Sequence, residues 1–558
     1  MTIGDLLIVL GLFLALVMFL GSVMKLTPSE LARVPVRDFK AEEERKRVRS
    51  RRRRRRRGPP ISLAGHCVGL DEMDHTIALA QSGAGKNLIM GPTFRSLVKA
   101  VTRDPSRRLL VIETKGSLVQ WLEGMNVPYH LITFSYRQGH SWDLAQDFSS
   151  YSLIVQLCYT LLPPLEGNNA FFRNGARAIF IATLFSIHVI TRSQWGFDDL
   201  VYAGLSSLET LKTILKQTPL GNLVINTLVD VGDDSNDSDE AFYKVRSELA
   251  SQLFPFMTAA AKYQYSEALS VVDFWEGKTS APILVVKLCP ERLDSEYPSA
   301  SALIQRSLEF IMGLTPKHPK KVRKDKIIFI DDLNFYRKIP KFLEATELIR
   351  GCGGLLFALG QSVESLRSRS SYGDEADGFL SNFANVIMLR SMSPTTAKYF
   401  ASLFGQHMAT RESEARSYGK EGIQFRFDER KSLEPVVLDR AFLSMPPPSP
   451  ENGITVYLKT QFFGEELEKV IPWKQVLERH PPVGHVAFTS LPADFEFPAP
   501  WTQARRDFLC GVEAEELSSI VETQGNMQEN PLAEFEEEIR RIVYDIGWDA
   551  IEQIARDS

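Results

Sequence analysis

Ala80-Gln81-Ser82-Gly83-Ala84-Gly85-Lys86-Asn87, and far downstream Ile327-Ile328-Phe329-Ile330-Asp331-Asp332, are the two stretches on which the reading of this chain turns. The first stands between an apolar run from Ile77 and a helical pattern. Its glycines allow successive backbone N–H groups to turn inward around phosphate oxygens, and the following helix adds the positive end of its dipole. Lys86 is placed to reach the β- and γ-phosphates of a nucleotide. The match to a Walker A loop is imperfect, with Ala80 where the first glycine belongs and Asn87 where Ser or Thr belongs, and a short Gly-x-Gly-Lys string also occurs in loops that bind nothing.

The second stretch bears on that ambiguity. A carboxylate leaving a buried strand, here Asp331, is where a P-loop protein holds Mg2+, and the next acid, Asp332, polarises the attacking water. Asp332 is one methylene shorter than the usual Glu, and taken alone the pair also reads as two solvated aspartates. Both elements in the right order on one sheet point to an ATP and Mg2+ site built from Ser82, Gly83, Ala84, Gly85, Lys86 and Asn87, with Asp331 as metal ligand and Asp332 as base. Gln361, at the tip of the run Leu355–Leu359, fits a sensor of the γ-phosphate.

Outward from these stretches the pattern is strand alternating with helix. Leu109–Ile112, Ile283–Val286, Ile327–Ile330, Leu355–Leu359 and Val386–Leu389 read as buried strands, which implies a mainly parallel α/β sheet covered on both faces. A closing apolar run, Ile454–Tyr457, follows Pro446-Pro447-Pro448. Residues 146–275 read as an inserted all-α segment, with helical periodicity over Phe171–Ile190 and Glu240–Ala261 and an acidic loop at Asp233–Asp239. The expected division is a transmembrane helix at 3–24, a basic juxtamembrane linker at 25–60, two halves of a nucleotide-binding domain at 61–145 and 276–480, and an acidic tail at 481–558.

Hydrophobic residues make up 44% and charged residues 24% of the 558, which excludes disorder as the default. Ile3–Met24 is apolar except for Asp5 and long enough to span a hydrocarbon core. A cleaved leader would begin with basic residues, and Met1–Asp5 has none. Eleven of the thirteen residues 45–57 are Arg or Lys; without them the net charge of −4 becomes −15. The positive-inside rule then keeps the C-terminal bulk in the cytoplasm, below an inner membrane crossed once. The arginine run fixes topology, binds anionic headgroups or touches DNA phosphates. The cluster Lys317, Lys320, Lys321, Arg323, Lys324 and Lys326 reads either as DNA-facing or as a solvated basic loop. The five cysteines show neither zinc spacing nor a disulfide framework.

These residues resemble the type IV coupling proteins, membrane-bound ATPases of conjugation and type IV secretion. The resemblance is ordered: the loop at 80–87, Met90-Gly91-Pro92-Thr93 after it, and Glu113-Thr114-Lys115-Gly116 against the family's Asp-x-Lys-Gly. It continues with Asn168-Asn169-Ala170-Phe171-Phe172, Ile349-Arg350-Gly351-Cys352-Gly353, Gln361-Ser362, Asn382, and Thr396-Ala397-Lys398-Tyr399 before Gly405. It implies a RecA-like homo-hexamer that passes DNA, single-stranded and without sequence readout, through its channel. Relaxase, effector proteins and the secretion channel would be its partners, and a neighbouring subunit would supply an arginine, with Arg350 and Arg390 as candidates. The departures at Asn87, Glu113 and Asp332, and the single membrane helix, keep a second reading open: a recruitment scaffold that binds nucleotide without turning it over and docks cargo on its acidic tail. A soluble-type chromosome or repair translocase is a third.

Overall fold

A computed structural model describes residues 58–163, 170–229, 235–317, 322–333, 336, 338–419, 422–460, 462, 467–492 and 497–511. The candidate anchor at 3–24, the arginine run, Lys320, Lys321 and the residues from Val512 onward lie outside these. Among the described residues no helix is long and apolar enough to cross a membrane.

The runs of Val, Ile, Leu and Phe become the strands of one nine-stranded sheet. A hairpin, β1 (Pro60–Leu63) and β2 (His66–Gly69), precedes it. In chain order the sheet holds β3 (Thr76–Leu79), β4 (Arg108–Glu113), β5 (His130–Thr133), β8 (Ile283–Lys287), β9 (Lys326–Ile330), β10 (Gly354–Gly360), β11 (Asn385–Met388), β14 (Ile454–Thr460) and β15 (Leu467–Ile471). The two short strands β6 (Ser141–Trp142) and β7 (Ala268–Leu269) pair with each other, as do the long strands β12 (Gln406–Gly419) and β13 (Gly422–Pro435). The spatial order is β15-β14-β11-β3-β10-β9-β4-β8-β5. Seven neighbouring strands, β11 to β5, run parallel, and β14 and β15 close one edge antiparallel. The sheet is therefore mainly, not wholly, parallel. The Ile454–Tyr457 run is the strand that reverses it.

Alternate residues of each strand feed two separate cores, as the two-residue period of a strand requires. Leu109, Val111, Ile327, Phe329, Leu355 and Phe357 pack under the helices Lys86–Arg103 and Ser117–Gly124. Leu110, Ile112, Ile328, Ile330, Leu356 and Ala358 face the other side, in a core continuous with the helices that follow β6.

Those helices are Tyr151–Leu161, Ala170–Ile190, Phe197–Leu205, Leu208–Leu215, Pro219–Val229, Ser235–Leu253 and Met257–Tyr265. Two details differ from the sequence reading. The periodic run Glu240–Ala261 is two helices, broken by the 3-10 turn Phe254–Phe256 where Pro255 cannot donate its N–H. The expected acidic loop is helical from Ser235, a place where the helix dipole favours acidic sequence. The excursion opens and closes through the β6–β7 pair, fastened by Asp147. This buried carboxylate accepts Ser270 Oγ, Trp142 Nε1 and the N–H groups of Val271 and Val272, capping the helix Val271–Glu276 that leads into β8. Burial pushes its pKa up to about 6, against the pull of those donors.

The chain after Pro481 lies along the body. Gly484 N–H donates to Gln120 O at 2.7 Å and Leu491 N–H to Ser135 O at 2.9 Å. Farther on, Trp501 Nε1 and Arg505 close on Asp199. The described residues 482–492 and 497–511 thus include stretches packed against the body.

Candidate nucleotide and metal site

The site forms at the C-terminal ends of the parallel strands, where three adjacent strands deliver its parts. β3 runs into the glycine loop, and the ends of its two neighbours pin that loop: Ala80 N–H donates to Gly360 O at 3.1 Å and Gln81 N–H to Arg390 O at 3.3 Å. Ala80 is buried in the core and takes no left-handed conformation, so this position places no demand for glycine. Gly83 and Gly85 do adopt left-handed φ, 79° and 87°. A Cβ on Gly83 would meet nothing within 4 Å, whereas one on Gly85 would lie 2.9 Å from Pro448 Cγ. The Pro446–Pro448 segment thus backs the loop, a contact that sequence spacing does not show. The helix begins at Lys86, with Asn87 as its second residue, and Ser82 is exposed.

β9 delivers the acids. The Asp331 N–H still belongs to the sheet, donating to Ile112 O at 2.9 Å. Its side chain is buried, and Oδ1 has no protein hydrogen-bond partner. Burial, and then the negative Asp332 beside it, push the Asp331 pKa up to about 6. Asp332 is fully buried and takes a left-handed φ of 50°, a conformation that Asp tolerates better than most residues. Its Oδ1 pairs with Lys86 Nζ and its Oδ2 with Lys115 Nζ at 2.5 Å. Burial opposes its charge, but the two ammonium groups outweigh burial and hold its pKa below the usual range.

Gln361 directly follows β10, the strand between β3 and β9, which places it between the loop and Asp331. The sequence-derived set Ser82–Asn87, Asp331, Asp332 and Gln361 is therefore brought to one edge of one sheet. Lys115 joins it, a residue that the motif reading quoted without assigning a role. Its position depends on Gly116, whose φ of 85° turns the chain into the helix Ser117–Gly124.

Glu113, the residue at variance with Asp-x-Lys-Gly, binds the start of the helix that follows it. It is fully buried, and its two oxygens accept the N–H groups of Leu118 and Val119 at 2.9 and 3.0 Å. Burial outweighs these bonds and pushes its pKa up to about 7. The buried Lys287 lies opposite it in the β4–β8 register and donates to Leu288 O at 2.6 Å and to Thr114 O.

The two arginine candidates occupy opposite ends of the sheet. Arg390 packs beside its own loop, with Nε buried and without an acceptor. Arg350 precedes β10 and pairs with Asp74 Oδ1 at 2.7 Å. The described part of the basic cluster is also at that far end, and three of its residues are engaged internally. Lys317 pairs with Asp325, Arg323 with Asp104, and the buried Lys324 donates to Arg350 O at 2.9 Å.

The chemistry of the donors fits Mg2+. Asp331 offers a buried carboxylate oxygen with no partner, and Mg2+ takes one or two carboxylates while drawing its other ligands from water and phosphate. Among the described residues no group of three or more His, Cys, Asp or Glu gathers as a dedicated metal cage.

Residues 68–455 match the family model described as the type IV secretion-system coupling protein DNA-binding domain. Among solved structures, the fold is similar to the bacterial conjugative coupling protein TrwBdeltaN70 in its unbound monoclinic form, at 17% identity over 77% of this chain and 92% of that one, with a TM-score of 0.57. It is similar to the plasmid coupling protein TrwB in complex with ADP and Mg2+, at 16% identity over 78% and 94%, TM-score 0.57. The same protein with the non-hydrolysable ATP analogue ADPNP gives 17%, 78% and 95%, TM-score 0.57. No curated protein matches the chain. At these identities the structural likeness carries the fold.

Proposed function

The chain belongs to the type IV secretion-system coupling proteins, and from that premise we propose that it is an ATP-hydrolysing motor that recruits DNA, with relaxase or effector protein, and drives it to the secretion channel. The observation that carries this reading is the convergence of Lys86, Asp331 and Asp332 at the ends of β3 and β9, with Gln361 between them. TrwB, of similar fold, has been crystallised with ADP and Mg2+ and with ATP and GTP analogues, which supports nucleotide and Mg2+ as cofactors here.

In this mechanism the loop amides and Lys86 bind and orient the phosphates, and Asp331 would hold Mg2+, which would supply charge neutralisation there. Asp332 orients water and accepts its proton, and Gln361 links the phosphate to the strand between the two motifs. Single-stranded DNA would be gripped through its backbone, without base readout. The inner-membrane anchor at 3–24, the homo-hexamer, the division into nucleotide-binding halves at 61–145 and 276–480 around the helices at 146–275, and cargo docking on 481–558 belong to the same proposal.

One observation favours the second reading, a nucleotide-binding scaffold without turnover: Asp332, the expected base, has both oxygens engaged by lysines. The experiment that separates the two is the ATPase rate of the full chain in detergent, with and without single-stranded DNA, beside Lys86→Ala. Turnover that DNA raises and Lys86→Ala abolishes supports the motor. Nucleotide binding with no turnover above the variant supports the scaffold.

A further inference from the structure

Asp332 divides its carboxylate between two lysines that are not equivalent. Lys86 reaches Oδ1 from the loop after β3, and its side chain is 11% exposed. Lys115 reaches Oδ2 at 2.5 Å from the turn after β4, and its side chain is 52% exposed. In the sheet β4 lies directly beside β9, while β3 lies two strands away on the other side. The lysines therefore approach Asp332 from opposite flanks, each from the start of a helix, at Gly85 and at Gly116.

Nucleotide phosphates compete for only one of them. Lys86 opens the helix that the loop leads into, and phosphates in the loop draw its ammonium. That movement takes a cation from a fully buried carboxylate, with a second carboxylate, Asp331, next in sequence. A buried charge stripped of its partner opposes any step that creates it. Lys115 stands outside the glycine loop, on the other oxygen, and stays when Lys86 goes.

We infer that Lys115 is the standing counter-ion of Asp332, the positioning residue that lets Lys86 be handed from the carboxylate to the phosphate of an incoming nucleotide. The inference rests on the nucleotide-binding reading above. The Glu113-Thr114-Lys115-Gly116 segment thereby acquires two tasks: Glu113 fastens the helix start by its backbone, and Lys115 keeps Asp332 paired and aimed. The left-handed turn at Gly116 makes both possible.

The test is a double-mutant cycle on ATP affinity, measured by calorimetry on the full chain in detergent with Mg2+. Lys115→Met weakens ATP binding by about tenfold or more, because Lys86 then leaves an unpaired carboxylate behind. Asp332→Asn binds ATP at least as tightly as the natural chain, since nothing competes for Lys86. In the Asp332→Asn background, Lys115→Met has an effect of less than about threefold. Lys115→Arg, which keeps the charge, retains the natural affinity, and Lys115→Gln serves as the second neutral variant should the methionine disturb folding. Equal weakening by Lys115→Met in both backgrounds, or none in either, overturns the inference while leaving the nucleotide site standing. A natural chain that binds no ATP overturns the nucleotide-binding reading, and the inference with it.

Discussion

Glu113 Oε1 accepts the backbone N–H of Val119 at 3.0 Å, so the carboxylate that ends β4 also closes the first turn of the next helix. Two orphan N–H groups at that helix start are satisfied by one side chain without contact to water. The arrangement has a thermodynamic signature. The folded chain holds a proton on Glu113 up to about pH 7, against 4.5 for the free side chain. Between those values the folded state binds more protons than the unfolded one, so this group's contribution to stability falls as pH rises through that window, by on the order of 3 kcal/mol. Thermal melts from about pH 5 to pH 8 should show a steeper decline for the natural chain than for Glu113→Gln, which has nothing to titrate there. Parallel profiles would contradict this account.

Asp331→Asn should move stability and metal response in opposite directions. The natural carboxylate is buried beside Asp332, with one oxygen unpartnered. Removing its charge relieves that conflict and stabilises the apo chain by about 1 kcal/mol. The same change replaces the charged carboxylate proposed for Mg2+ with a neutral amide, so Mg2+ affinity with nucleotide bound should fall by about tenfold or more. Melting curves and Mg2+ titrations of one preparation check both signs.

The two loop glycines separate backbone strain from steric contact. Gly83→Ala meets open space and bears only the left-handed penalty, about 1–2 kcal/mol. Gly85→Ala bears the same penalty and also drives a methyl group to 2.9 Å from Pro448 Cγ. Apo melting temperatures should therefore rank the natural chain above Gly83→Ala and Gly83→Ala above Gly85→Ala. Pro448→Ala in the Gly85→Ala background should recover part of the difference.

Arg505 holds the last described helix, Gln503–Leu509, to the helical region through Asp199, at 2.6 Å from Nη2 to Oδ2. Asp199 is buried and Arg505 partly exposed, so Arg505→Ala should cost about 2 kcal/mol, below the full loss of a buried pair. Urea unfolding measures that loss, and limited proteolysis should show new cleavage between residues 497 and 511 ahead of global unfolding. An unchanged cleavage pattern would mean that Trp501, which also donates to Asp199, suffices to hold the segment.

The strands were legible because burial on both faces writes them as short apolar runs, and Ile283–Val286, Ile327–Ile330 and Leu355–Leu359 all sit inside observed strands. That the loop and the acids meet was legible because each directly follows a buried apolar run, and parallel strands bring their C-terminal ends to one side of the sheet. The contacts that cross long stretches of sequence were not. No local pattern says that Pro448 backs Gly85, that Lys115 meets Asp332, or that Asp199 awaits Arg505. The edge strand β5 was missed as well: His130-Leu131-Ile132-Thr133 is short, and only its last two residues are buried. Glu113 read as a weakened motif residue because its partners are backbone N–H groups, which leave no trace in composition.

Residues 134–282 leave the sheet at the C-terminal end of β5 and return at the N-terminal end of β8, its parallel neighbour, so the two ends of this excursion are fixed at opposite ends of adjacent strands, at the edge farthest from β15. For a chain whose ends are fixed in this way, closure entropy grows only with the logarithm of its length, about 0.6 kcal/mol for each doubling. Residues can be gained or lost among the outer helices without altering how β3, β9 and β10 set Lys86 against Asp332.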